Sequence, residues 1–147
     1  MSLKERLQED WKTALKNKDS FKASVLSMAR AAILQAEKVD GSKLDDEAII
    51  SVLSKEVKQR RDAIVEYERG NRQDLVDQVN GEINILLEYL PQQLTEEEIA
   101  EIVKNAVNET GATSVKEMGK VMTSIMPKVK GRADGKLVSQ IVKQFLQ

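Results

Sequence analysis

Apolar residues recur along the chain at spacings of three and four, the period of a helix with one buried face. Leu3, Leu7, Trp11 and Leu15 form one stripe and predict a first helix over about residues 2–17. Asp19 is placed to cap a second, to about residue 38, with Phe21, Val25, Leu26, Met28, Ile33 and Ala36 inward. Asp45 is placed to cap a third, to about residue 69, which Gly70 ends. Asn71 is read as the cap of a fourth, to about residue 90, carrying Leu75, Val79, Ile83, Leu86 and Leu90. Pro91 stops that helix, because proline disfavours helical geometry at the residue before it.

Two capping boxes follow, Thr95-Glu96-Glu97-Glu98 and Ser114-Val115-Lys116-Glu117. The first opens a helix with Ile99, Ile102, Val103, Ala106 and Val107 inward, closed by Gly111. The second opens one presenting Val115, Met118, Met122 and Ile125, which Pro127 is expected to stop. Asp134 caps the last, with Leu137, Val138, Ile141, Val142 and Phe145 inward. No segment alternates with period two. The predicted fold class is all-α without strands, in two unlike helical bundles: four helices in residues 1–90 and three in 91–147. The second bundle is small enough to be marginal alone.

Composition narrows the chemistry. The chain has no Cys and no His, which removes thiolate metal sites, cysteine nucleophiles and the Ser-His-Asp triad. No nucleophile stands beside a base, so no catalytic residue, metal or cofactor is assigned, and isolated enzyme activity is not expected. The longest aliphatic run, Ala31-Ala32-Ile33-Leu34, is far short of a span of about 20 residues, so no membrane partner is expected. Charged residues fill the first turn, where a signal peptide would be apolar, and a cytoplasmic protein is the expectation.

Lys+Arg and Asp+Glu nearly balance, 23 against 24, which argues against coating DNA or RNA by bulk charge. The balance hides a polarised C-terminal unit. Lys116, Lys120, Lys128, Lys130, Arg132 and Lys136 face only Glu117 and Asp134, whereas residues 91–115 hold one lysine and five glutamates. Residues 126–136 read as a loop in which cations alternate with small or apolar residues, feeding a helix N-terminus that favours anions. The alternative is a solvated basic surface, with Asp134 satisfying the helix end itself.

Gly131-Arg132-Ala133-Asp134-Gly135-Lys136-Leu137 is not a P-loop: the glycine spacing is short, Leu137 stands where Ser/Thr would bind magnesium, and no strand precedes it. The acidic stretch from Asp40 lacks the calcium-loop pattern. Arg60 falls amid the apolar stripe of the third helix, either paired with a carboxylate of another helix or, with Arg61, a cation in a groove between the bundles. Gly119 interrupts a helix, which suits close helix packing first and ligand approach second. Met118, Met122 and Met126 form a soft stripe, core or partner surface.

The run Met118-Gly119-Lys120-Val121-Met122, then Ile125-Met126-Pro127-Lys128-Val129-Lys130-Gly131-Arg132-Ala133-Asp134-Gly135-Lys136-Leu137-Val138, resembles the signature of the GatB/YqeY domain. Leu90-Pro91-Gln92-Gln93-Leu94-Thr95 resembles the lead into that domain, and Lys58-Gln59-Arg60-Arg61-Asp62-Ala63-Ile64 and Asn71-Arg72-Gln73-Asp74-Leu75-Val76 resemble the N-terminal half of stand-alone YqeY-like proteins. The resemblance implies a four-helix bundle followed by a three-helix one. It also implies kinship with the tail of GatB, the amidotransferase subunit whose tail helps hold tRNA, and hence a family label of carbon–nitrogen ligase with glutamine as amido donor. The catalytic body of that enzyme has no counterpart here.

What carries over is a candidate RNA contact: Lys120, Lys128, Lys130, Arg132 and Lys136, with Gly119, Gly131 and Gly135 allowing approach. The expected role is a tRNA-binding accessory module linked to aminoacyl-tRNA amidation or translation. The competing one is an adaptor docking on an amidotransferase, an aminoacyl-tRNA synthetase or another translation component. No DNA partner is expected.

Overall fold

The computed structural model describes all 147 residues. The chain is all-α, with seven α-helices, one 3₁₀ turn and no strand. It divides into two compact units, Met1–Leu90 and Pro91–Gln147. No helix is long and apolar enough to cross a membrane.

The first unit holds α1 (Leu3–Lys16), α2 (Ser20–Asp40), α3 (Asp46–Arg69) and α4 (Gln73–Leu87). Ser2, Asp19 and Asp45 each accept a backbone N–H of the first turn they precede, satisfying donors with no partner inside the helix. α1 packs on α2 and α3 on α4, while α2 also touches both α3 and α4. Leu7, Leu26, Ile33, Ile49, Leu53 and Leu86 are all but inaccessible to water at the centre. Each fully buried aliphatic side chain contributes about 1.5–3 kcal/mol relative to exposure.

Three expected core residues stand outside it: Leu15 is 53% exposed, Phe21 42% and Met28 41%. Ala14, Ala23 and Ala29 are buried instead. Small side chains at a helix contact let the backbones approach, which moves the buried line off the bulkier neighbours. The Phe21 ring covers Gly81 of α4, where an added Cβ would come within 3.2 Å of it.

Asn71 does not cap α4. It adopts a left-handed turn, φ 54°, and its N–H donates to the Glu68 carbonyl, so it finishes α3. Asn tolerates that conformation better than most side chains. The cap position falls to Arg72, whose guanidinium forks onto Asp74. α4 also ends early, at Leu87; Tyr89 is buried in the turn that follows.

The second unit holds α5 (Glu96–Thr110), the 3₁₀ turn Val115–Glu117, α6 (Met118–Val129) and α7 (Gly135–Leu146). Around Thr95 the capping box is complete in both directions. α5 packs on α6 and α7, and Ile99, Val103, Val121, Ile125, Val138 and Val142 fill the centre.

The second expected capping box does not form. Ser114 makes no cap bond, and the Glu117 carboxylate accepts the Thr113 N–H instead. Pro127 does not stop α6, which runs on to Val129. Buried Ile125 and Val129 flank it, and their packing outweighs the single backbone bond that proline removes. Phe145, 42% exposed, and Val115, 40% exposed, stand outside the core, which takes Leu146 and Val121.

Candidate nucleic-acid interface

The longer α6 reshapes the basic segment. Residues 126–129 are helical, so the loop shrinks to residues 130–134. Its turn needs a left-handed residue, supplied by Gly131 at φ 75°. The segment before α5 pins it. Gln93 Nε2 donates to the Gly131 carbonyl at 2.9 Å, Leu94 N–H to the Arg132 carbonyl at 2.7 Å, and Arg132 Nε to the Gln92 carbonyl at 3.2 Å. The half-buried Arg132 therefore spends part of its guanidinium as a brace. At the start of α7, the Asp134 carboxylate accepts the Lys136 N–H at 3.1 Å, so an internal anion already sits at that helix end.

At about 100° per residue, Gly119, Lys120, Thr123 and Pro127 share the outward side of α6, and Lys128 lies at its margin, about 80° round from Lys120. Lys130, just beyond the helix, joins the outward side: with Met122, Thr123, Met126 and Pro127 it lines a shallow open groove. Gly119 packs against nothing. No atom lies within 4 Å of where its Cβ would be, and the same holds for Gly135. The close-packing account of Gly119 is thereby overturned, and its backbone faces open space. Thr123, which sequence reasoning passed over, donates its hydroxyl to the Gly119 carbonyl at 2.9 Å. Gln93 was also missed; a lone glutamine in a Pro-Gln-Gln stretch carries no signal of the loop it will meet.

Lys116, Lys120, Lys128 and Lys130 are exposed and make no ion pair. In the first unit, Lys4, Arg6, Lys22, Arg60, Arg69 and Arg72 each face a carboxylate. Arg60 is held wholly inside its bundle, with Nε 2.9 Å from Glu82 Oε1 and Nη1 3.3 Å from Glu56 Oε1. Arg61 beside it is half-buried.

The family pattern for Yqey-like proteins matches residues 4–146. The chain belongs to the YqeY-like family. Among its relatives is the altered inheritance of mitochondria protein 41, mitochondrial, of Pyrenophora tritici-repentis, 32% identical over 96% of this chain and 79% of that protein. The protein of the same name from Meyerozyma guilliermondii is 39% identical over 57% of this chain and 44% of its own length. That of Saccharomyces cerevisiae strain YJM789 is 26% identical over 95% and 80%. This YqeY-like chain thus aligns along nearly its whole length with the first and third, and with less than half of the second.

Proposed function

We propose that this YqeY-like protein is a non-catalytic RNA-binding module that holds the backbone of a structured RNA, of the tRNA class, on the outward side of α6. One observation carries the reading: Lys120 and Lys130 flank a helix surface bared at Gly119, with no carboxylate answering either charge. Phosphates take such contacts, and shape supplies selectivity for folded RNA. The chain has five aromatic residues in all and none between Trp11 and Phe145 lies on α6, so base stacking is not part of the proposal. Through the resemblance to the GatB tail, the role is one of accessory to aminoacyl-tRNA amidation or translation.

The test is binding to total tRNA across a salt series. The comparison is Lys120→Ala/Lys130→Ala, with Lys104→Ala/Lys143→Ala as a control that removes equal charge elsewhere on the second bundle. The log–log salt slope should become shallower by about one per lost phosphate contact in the first variant and stay unchanged in the second. Equal losses in both variants would reduce the reading to bulk charge.

The groove favours a second reading. Met126 is 45% exposed beside Pro127, which suits an adaptor docking a protein partner. Capture of a partner that survives nuclease and high salt, and is lost on Met126→Asp, would favour it.

A further inference from the structure

We infer that the cleft between α1 and α2 binds a small amphipathic carboxylate, its apolar chain against the two helices and its carboxylate on Arg30. The cleft has a volume of about 280 Å³. Leu7 and Ile33 form its floor, and Ala31 and Leu34 its outer wall. Leu34 is 54% exposed, an apolar side chain standing in water at the cleft mouth.

Two cations line the cleft, and they differ. Lys4 is answered: its Nζ lies 2.7 Å from Glu37 Oε2. Arg30 is not. It makes no ion pair and no hydrogen bond, and its guanidinium carbon stands 4.5 Å over the Trp11 ring. Stacking on indole holds the guanidinium plane still and leaves its edge donors unused. Two parallel N–H donors fit a carboxylate.

The neighbouring charge selects the ligand further. Glu37 already balances Lys4, so a phosphate dianion at Arg30 would meet only one uncompensated cation. A monoanion matches the site's single unanswered charge. The volume lies at the small end of ligand pockets and suits about ten non-hydrogen atoms. An apolar chain of that size covers Ala31 and Leu34. The inference concerns the first bundle alone and is independent of the RNA reading.

The experiment uses the full chain and sodium octanoate. Trp11 is the only tryptophan, so its emission reports directly on a ligand that engages Arg30. Titration should give a saturable emission change, with matching heat by calorimetry. Arg30→Gln should weaken calorimetric binding about tenfold or more, the loss of one charge-assisted pair. 1-Octanol, with the same chain and no charge, should bind wild type about tenfold more weakly than octanoate. Ala31→Phe should abolish binding by filling the cleft. Far-UV circular dichroism and Tm show whether each variant is folded. Octanoate binding equally to wild type and folded Arg30→Gln overturns the proposal, as does no saturable response in wild type. A response to an acidic amphipathic peptide but none to octanoate also overturns it, in favour of a docked helix.

Discussion

Arg60 of α3 and Glu82 of α4 hold each other inside the first bundle, Nε to Oε1 at 2.9 Å, with side chains only 14% and 11% exposed. Glu56 adds a second carboxylate at 3.3 Å and its own carbonyl at 3.2 Å, while Gln78 donates to the other Glu82 oxygen at 3.3 Å. A charge in an apolar stripe is tolerable because every side of it is answered. Removing Glu82 leaves the largely buried Arg60 with Glu56 alone to answer its charge, which costs more than the pair contributes. Glu82→Ala should therefore destabilise by about 2–4 kcal/mol, and Arg60→Met/Glu82→Leu by much less. Urea unfolding of the two variants and wild type checks this. A double variant as unstable as Glu82→Ala would assign the loss to packing.

Tyr89 closes the first bundle from the turn after α4. Its hydroxyl donates to Asp10 Oδ2 at 2.5 Å, and Arg6 stands 4.7 Å over its ring. Burial, first, and the bond to Asp10 push the phenol well above its ordinary 10.0. A raised pKa stabilises the fold below the ordinary value, and that stability is lost as pH rises past it. Tyr89→Phe should cost about 1–2 kcal/mol at neutral pH, with the gap to wild type closing progressively above about pH 10. Thermal unfolding across pH 7–11 reads both.

Glu37 titrates in the other direction. It accepts two bonds from Lys4 Nζ, at 2.9 and 2.7 Å, and one from the Leu44 N–H at 3.0 Å. The Lys4 bond foremost, then the Leu44 amide, hold its carboxyl below the ordinary 4.5. A lowered carboxyl pKa stabilises the fold above the ordinary value, and the effect fades as pH falls through the lowered one. Tm of wild type should exceed that of Glu37→Gln at pH 7, and the difference should shrink steadily below about pH 4.5.

Gly119 and Pro127 each weaken α6 on its outward side. Gly119→Ala has open space for its methyl group and should stabilise by about 0.5–1 kcal/mol. Pro127→Ala restores a backbone donor toward Thr123 and should stabilise by about 1–3 kcal/mol. Under the RNA reading, Gly119→Ala should weaken tRNA binding while raising Tm. A rise in Tm with binding unchanged would separate that glycine from ligand approach.

Much of the fold is legible because helices declare themselves locally. The period of the apolar residues, the caps Asp19, Asp45 and Asp134, the Thr95 box and the stops at Gly70 and Gly111 depend on neighbours within a turn. The misread positions depend on contacts from elsewhere. Ser114 and Glu117 have the spelling of a cap, yet Glu117 turns to Thr113. Proline's local preference lost to the burial of Val129. Alanines replaced bulkier residues in the core because helix approach, not hydrophobicity, decided which side faced in.

For the candidate site, the sequence by itself determined the residue types: a cation-rich stretch with glycines at 119, 131 and 135, in a chain without histidine or cysteine. The tertiary structure decided how they are deployed. It extended α6 through Pro127, which made Lys128 a helical residue, and braced the loop with Gln92, Gln93 and Leu94 from about 40 residues earlier. It also set Arg30 over Trp11 while pairing Lys4 with Glu37, so that two similar charges lining one cleft differ in what they can still bind. The physical reason is range. Backbone conformation responds to residues within a turn, whereas whether a charge is answered depends on which distant segment packing brings beside it.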